Sequence, residues 1–227
     1  KNGKEDGLWE RFYLKSDNNP FVLHGPIERR ENYKDGKRDG LSEWFDEKGQ
    51  LWSRENFKNG EMNVLWERFH ENGQLESKTN YKNGKEDGLS EWFDENGQLE
   101  EKGNYKVGKL DGLWERFHEN GQLKYRGNYK NGKKEGLSEW FYENGQLCSR
   151  VSYDNGKPDG LCEFFYYTSN NNPFVLHGQL ESRENYKNGI RDGLYEWFSE
   201  NGQLESRENY KNGELNCPFK SSMKMVN

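Results

Sequence analysis

Aromatic and charged residues alternate along this chain in short runs that stop at glycine-containing turns. "LSEWF" and "QLESRENY" are typical, bounded by Asn-Gly or a near equivalent. A turn signal every eleven to thirteen residues leaves no room for a helix, so the pattern predicts strands joined in hairpins. Glycines 40, 88, 112, 136 and 160 fall on a 24-residue period, with Val64 in the vacant slot. Gly7 to Gly40 and Gly160 to Gly193 each span 33 residues, one period plus nine. Residues 1–216 thus read as one continuous array of eight repeats, beginning near 7, 40, 64, 88, 112, 136, 160 and 193. Residues 217–227 follow as a C-terminal tail.

Counted from that glycine as position 0, position 1 is always Leu, position 3 always Glu and position 5 always Phe. With the insertions discounted, position 11 is Leu or Ile, position 14 Arg or Lys, and position 17 Tyr or Phe. Turn signals sit at 8–9 and 19–20. Each repeat should supply two strands, and the chain an all-β fold: an elongated, twisted, single-layer antiparallel array of hairpins. At about 4.8 Å between strands, such an array would run roughly 75 Å. Two registers compete. A two-residue turn at 8–9 sets position 3 opposite position 14, giving pairs such as Glu43 with Arg54 and Glu91 with Lys102. It places Leu41 and Phe45 on that face, and Trp44, Leu51 and Phe57 on the other. A bulged turn would instead pair Trp52 with Trp66 and Cys148 with Cys162. Eight charge pairs favour the first register, because the second leaves those Glu side chains without a partner.

Each of the first six repeats carries one Trp at position 2 or 4: Trp9, Trp44, Trp66, Trp92, Trp114 and Trp140. Trp197 follows in the eighth. These positions share a strand face, and an Arg at position 4 can lie over a neighbouring indole. The column is either the core of a thin sheet or an aromatic groove for a partner. The octapeptide NNPFVLHG occurs at 18–25 and again at 171–178, inside the two longer repeats. Each copy lengthens a hairpin tip. Phe21, Val22 and Leu23, and Phe174, Val175 and Leu176, either fold back over the sheet or project as docking elements. Phe21, Leu23, Phe174 and Leu176 therefore join the indoles as candidate partner-binding residues.

Composition sharpens this picture. Of 227 residues 33% are charged, and the mean hydropathy is −1.35, which alone would suit a disordered chain. An aromatic share of 15% argues instead for thin but ordered structure. The net charge is −6, with Lys and Arg interleaved among acids, which disfavours nucleic acid and membrane lipid as partners. No apolar run approaches the roughly 18 residues of a membrane span. No secretory leader pattern opens the chain, although the repeat is already under way at Lys1. Cys148, Cys162 and Cys217 lack metal or disulfide spacing, and a cytoplasmic setting is expected.

Signals for chemistry are sparse. His70 and His118 open turns and read as solvated loop residues, while His24 and His177 stand six repeats apart. There is no phosphate loop, nucleophile elbow or HExxH. The same Glu in every repeat signals architecture, since a catalytic pair needs two carboxylates in different environments. No enzymatic activity, metal or cofactor is expected.

The string "NYKNGKEDGLSEWFDENGQL" resembles MORN repeats, in particular the bacterial variant in proteins labelled YwqK-like antitoxins. The resemblance rests on aromatic–x–x–Gly–Lys–x–x–Gly, as in Tyr81, Gly84, Lys85 and Gly88, and covers nearly the whole chain. Position 2 departs from it, with mostly Trp or Ser where common MORN units carry a second Gly. The resemblance implies a hairpin array used for protein contacts or dimerisation; lipid binding, also proposed for the family, is weakened by the acidic charge. The expected function is a non-catalytic interaction or scaffold module for a protein partner or for self-association, antitoxin-like in one form. The alternative is an aromatic groove that binds cell-wall or surface glycan.

Overall fold

The computed structural model describes residues 4–14, 25–167 and 178–216. The tip residues Phe21, Leu23, Phe174 and Leu176, together with His24, His177 and Cys217, lie outside them. The fold is all-β, with seventeen strands and no helix among the described residues. Two compact units, Lys1–Leu110 and Asp111–Asn227, divide the chain. The first holds β1 (Gly7–Phe12), β2 (Ile27–Lys34), β3 (Lys37–Phe45), β4 (Leu51–Lys58), β5 (Glu61–Phe69), β6 (Leu75–Lys82), β7 (Lys85–Phe93) and β8 (Leu99–Lys106). β9 (Lys109–Phe117) begins at the boundary. The second continues with β10 (Leu123–Lys130), β11 (Lys133–Phe141), β12 (Leu147–Asp154), β13 (Lys157–Phe165), β14 (Leu180–Lys187), β15 (Ile190–Phe198), β16 (Leu204–Lys211) and β17 (Glu214–Leu215). Within each unit every strand pairs antiparallel with the next in sequence.

Two kinds of turn alternate. At positions 19–20 both residues are left-handed, as in Asn59 (φ 52°) and Gly60 (φ 89°), which is the two-residue turn that Asn-Gly favours. At positions 8–9 only the glycine is left-handed, as in Gly49 (φ 83°). The expected two-residue turn is absent there. Gly49 N donates to Asp46 O at 2.9 Å and Asp46 N to Gln50 O at 2.9 Å, so the loop spans positions 6 to 10. Asp46 Oδ1 holds it by accepting from Lys48 N (2.9 Å) and Gln50 N (2.8 Å).

The longer loop leaves one residue over. Phe45 lies opposite Leu51 and Trp44 opposite Ser53, so Trp52 is a bulge. The charge register holds all the same, with Glu43 opposite Arg54 and Glu91 opposite Lys102. The bulge carries Leu51 onto the Glu43 face, not the Trp44 face that the sequence suggested. Trp52 does not face Trp66, nor Cys148 Cys162; Trp66 lies opposite Glu55, and Cys162 opposite Val151.

A second bulge explains the 24-residue glycine. Glu31 faces Ser42 and Tyr33 faces Arg38, so the residues around Gly40 crowd against Asn32 alone. Gly40 adopts φ 113°, and Asn32 Nδ2 donates to Leu41 O at 2.7 Å. Val64 occupies the same slot at φ 83°, an outlier for a β-branched residue.

The face bearing position 3 is charged. Arg54 sends Nε to Glu43 (3.4 Å) and Nη1 to Glu67 (3.4 Å), and it lies 5.9 Å from the Phe69 ring centroid. Glu196 is fully buried between Arg183 and Arg207, whose Nε donates at 2.8 Å. Burial opposes its ionisation, but the two guanidinium groups win and hold its pKa below the usual carboxylate value. Loops are also tied between repeats: Gly60 N donates to Arg38 O (2.7 Å), and Asn59 N to Asp39 Oδ2 (3.1 Å). His70 Nε2 donates to Phe93 O (2.8 Å) and His118 Nε2 to Phe141 O (2.9 Å). Both histidines are half-buried tethers, not the solvated loop residues expected.

Val64 is 61% exposed, so replacing it sacrifices little burial. Val64→Gly should raise stability by about 1 kcal/mol, net of the entropy glycine brings, and lift the thermal midpoint; a lowered midpoint would contradict the strain. Glu196→Gln should lower stability at pH 7 by about 1–3 kcal/mol. Because the folded pKa lies below the unfolded value of about 4.3, this contribution is present above that value and lost as pH falls through the folded pKa. Denaturant titrations of the two proteins should therefore draw together as pH falls below the usual carboxylate range and through the folded pKa.

Candidate functional site

Positions 2, 4, 13, 15 and 17 share the opposite face, and the bulge adds position 12. In the first unit Trp9, Trp44, Trp66 and Trp92 run along it beside the position-17 rings. Trp9 meets Tyr33 at 6.3 Å between centroids, Trp66 meets Tyr81 at 6.0 Å, and Trp92 meets Tyr105 at 6.4 Å. Beneath them Ser42, Ser53, Ser77, Thr79 and Ser90 form a buried floor, and Trp66 Nε1 donates to Ser53 Oγ at 2.9 Å. Small residues there let the large rings lie across them. Trp52, 43% exposed, packs against Trp44 at 6.5 Å. The favoured two-residue turn did not place it on this face; the bulge turns it there, without the pairing to Trp66 that the alternative turn implied.

Cations cover several of these rings. Arg38 lies 5.6 Å from the Trp44 centroid and 5.0 Å from Phe57, and Arg68 5.9 Å from Trp66. Arg68 covers the indole two residues back on its own strand, rather than one on a neighbouring strand. Arg38, at position 22, escaped sequence reasoning because that position varies between repeats. Its guanidinium also binds buried Glu31 at 2.7 Å. Glu55, nearby, has its pKa raised by burial, with Arg38 pulling the other way.

The second unit is built alike, from different residues. Trp114 contacts Tyr129 (5.3 Å) and Tyr125 (6.0 Å), and Tyr125 contacts Trp140 (5.0 Å). Arg116 lies 5.8 Å from the Trp114 centroid, and Lys134 reaches Trp140 (4.7 Å), Tyr153 (4.8 Å) and Tyr125 (5.1 Å). Gly127 makes room for the Tyr125 phenol, which shares a hydrogen bond with Ser138 at 3.2 Å. Beyond them an open pocket of about 430 Å³ is lined by Trp140, Cys148, Tyr153, Cys162 and Phe164 among others. Burial pushes the Cys162 thiol up to about 11, so it stays protonated and is no nucleophile at neutral pH. At the far end Arg191 binds Glu184 (2.6 Å) and covers Tyr195 (5.2 Å), while Trp197 is 39% exposed.

The structure therefore places all seven sequence-predicted indoles on the aromatic side of their strands, four in the first unit and three in the second. Among the described residues no group of three His, Cys, Asp or Glu side chains gathers that could hold a metal. No helix is long and apolar enough to cross a membrane.

Tandem hairpins with a charged face and an aromatic face define a repeat protein with a binding-type surface. The MORN repeat variant family matches residues 38–59, 62–83, 86–106, 110–131, 134–155 and 191–212, more than half of the chain. The chain belongs to that family. No curated protein matches it. The matched segments run from position 22 to the next left-handed turn, one hairpin each, and leave out both hairpins that carry the nine-residue insertions.

Gly127 offers a direct check on how the face is packed. A Cβ there would lie 2.8 Å from Tyr125 Cζ and 2.6 Å from Ser138 Oγ. Gly127→Val should displace the phenol from between Trp114 and Trp140 and destabilise the protein by about 1–3 kcal/mol. Tryptophan fluorescence should shift with it; an unchanged midpoint and spectrum would contradict the packing.

Proposed function

We propose that the chain is a non-catalytic protein-interaction module whose aromatic face receives a polypeptide partner. The observation that carries this is a row of half-exposed indoles interleaved with arginines, the residue types that dominate binding energy at protein interfaces. The same cations weigh against the glycan alternative. A sugar stacks on the flat face of an indole, and at Trp44, Trp66, Trp114 and Trp140 a cation already lies over the ring. A bound polypeptide can keep these cations and answer them with its own carboxylates or carbonyls. An antitoxin-like role, which the resemblance to YwqK-like proteins suggests, is this reading with a toxin polypeptide as partner.

Trp52 and Trp197 are exposed and form no part of the buried floor, so removing them should spare the fold. Capture from the native cell with the wild-type chain and with Trp52→Ala/Trp197→Ala as baits should retain a polypeptide on the first and lose it on the second. Each truncation at a contact centre should weaken affinity by about tenfold or more. Glycan-array binding that these substitutions abolish, with no polypeptide captured, would overturn the reading.

A further inference from the structure

Trp stands at position 4 in four repeats, as Trp44, Trp92, Trp140 and Trp197. With insertions discounted, position 22 of the repeat before each holds Arg38, Glu86, Lys134 and Arg191. Three of the four are cations, and each lies among rings. Arg38 covers Trp44 (5.6 Å) and Phe57 (5.0 Å), Lys134 covers Trp140 (4.7 Å) and Tyr153 (4.8 Å), and Arg191 covers Tyr195 (5.2 Å) and Tyr210 (5.5 Å). Glu86 reverses the charge at this position. It lies opposite Tyr81, and beside it Trp92 meets Tyr105 at 6.4 Å. Among the described residues no cation lies over Tyr81, Trp92 or Tyr105, and none pairs with Glu86. Arg68, the cation over Trp66, is paired with Glu76 at 3.7 Å.

The site is therefore negative with nothing to balance it. Burial raises the pKa of Glu86, and no cation pulls it back. Burial first, and then the Glu86 charge, raise the pKa values of Tyr81 and Tyr105, with Glu55 and Glu101 adding to them. The faces of aromatic rings are themselves negative, so a carboxylate among them deepens the potential that Arg38 and Lys134 cancel in their own repeats. Beneath the rings Thr79, Ser90 and Gly103 are buried, and the Ser90 hydroxyl has no hydrogen-bond partner among the described residues. We infer that the site formed by Glu86, Tyr81, Trp92 and Tyr105 receives a cation from outside the chain, the Lys or Arg side chain of a bound polypeptide. The incoming charge takes the place that position 22 fills from within in the other three repeats. A neutral side chain there would leave the carboxylate half-buried and unpaired, and an acidic one would meet like charge. The inference rests on the polypeptide reading above and adds that the partner is basic at this contact.

Nα-acetyl-lysine methylamide, titrated into the 227-residue chain, should shift the Trp92 indole N–H resonance saturably, whereas the uncharged norleucine counterpart should not. Glu86→Gln should weaken the lysine probe at least about fivefold, because the charge that holds it is gone. Glu86→Lys should abolish its binding, since the tethered ammonium then covers Trp92 as Lys134 covers Trp140. Circular dichroism confirms the fold of each variant, and Glu86→Gln decides if Glu86→Lys loses its strand signal. An equal response to the lysine and norleucine probes, or binding indifferent to Glu86→Gln, defeats the inference. Capture from the native cell separates it from the reading it rests on. A polypeptide held by the wild-type bait and lost by Glu86→Lys supports both. Equal retention by the two baits defeats this inference and leaves the reading standing, and a wild-type bait that holds no polypeptide defeats the reading and with it the source of the cation.

Discussion

The alternating column of carboxylates and cations on the charged face sets the strand register, and the rest of the structure depends on that register. A slip of one residue would carry the indoles and the position-17 rings to the charged face and every position-3 Glu to the aromatic one. A single half-exposed ion pair contributes at most about 1 kcal/mol, so the column matters less for stability than for choosing among pairings. Its strength lies in repetition on both sides of a strand. Arg54 answers Glu43 on one neighbour and Glu67 on the other, so β4 cannot shift without breaking contacts to both.

Within each unit the strands must also cover their own faces, because the described residues supply no helix to lie on them. The bulge at position 12 helps on both sides at once. It turns Leu51 toward Phe45 on the charged face and leaves Trp52 against Trp44 on the other. Long cationic side chains finish the cover, Arg54 over Phe69 on one face and Arg38 over Trp44 and Phe57 on the other. The charged composition that looks like disorder is therefore part of the fold, because these side chains shield rings that a second layer would otherwise bury.

On the aromatic face the rings that pack the sheet also stay partly open. The sequence left a core and an aromatic groove as alternatives for the Trp column, and the geometry shows the packing that the first requires. Buried serines form the floor, the indoles lie half-buried across it, and their outer edges remain open. Reactive groups on the same face are muted. Cys162 is held as a thiol, and Glu31 is closed by Arg38.

Much of this was legible in the residues. The 24-residue period, the hairpins and the opposition of Glu43 to Arg54 all follow from regularities repeated eight times, which local noise cannot hide. A bulged turn was legible only as the less favoured alternative and with another register, so its consequences for Leu51 and Trp52 were not. Asn-Gly stands at both turns of the repeat, yet Asn83 is left-handed (φ 52°) while Asn72 is not. The dipeptide permits either turn. What decides is the company it keeps: Asn72 Oδ1 accepts from Gln74 N at 2.9 Å, and Asn72 Nδ2 reaches Glu95 O of the next repeat at 2.6 Å. The sequence alone determined which segments become strands, through periodicity and turn chemistry. Only the tertiary structure decided how each turn closes and which face each side chain takes, because those depend on hydrogen bonds to a neighbouring repeat more than twenty residues away.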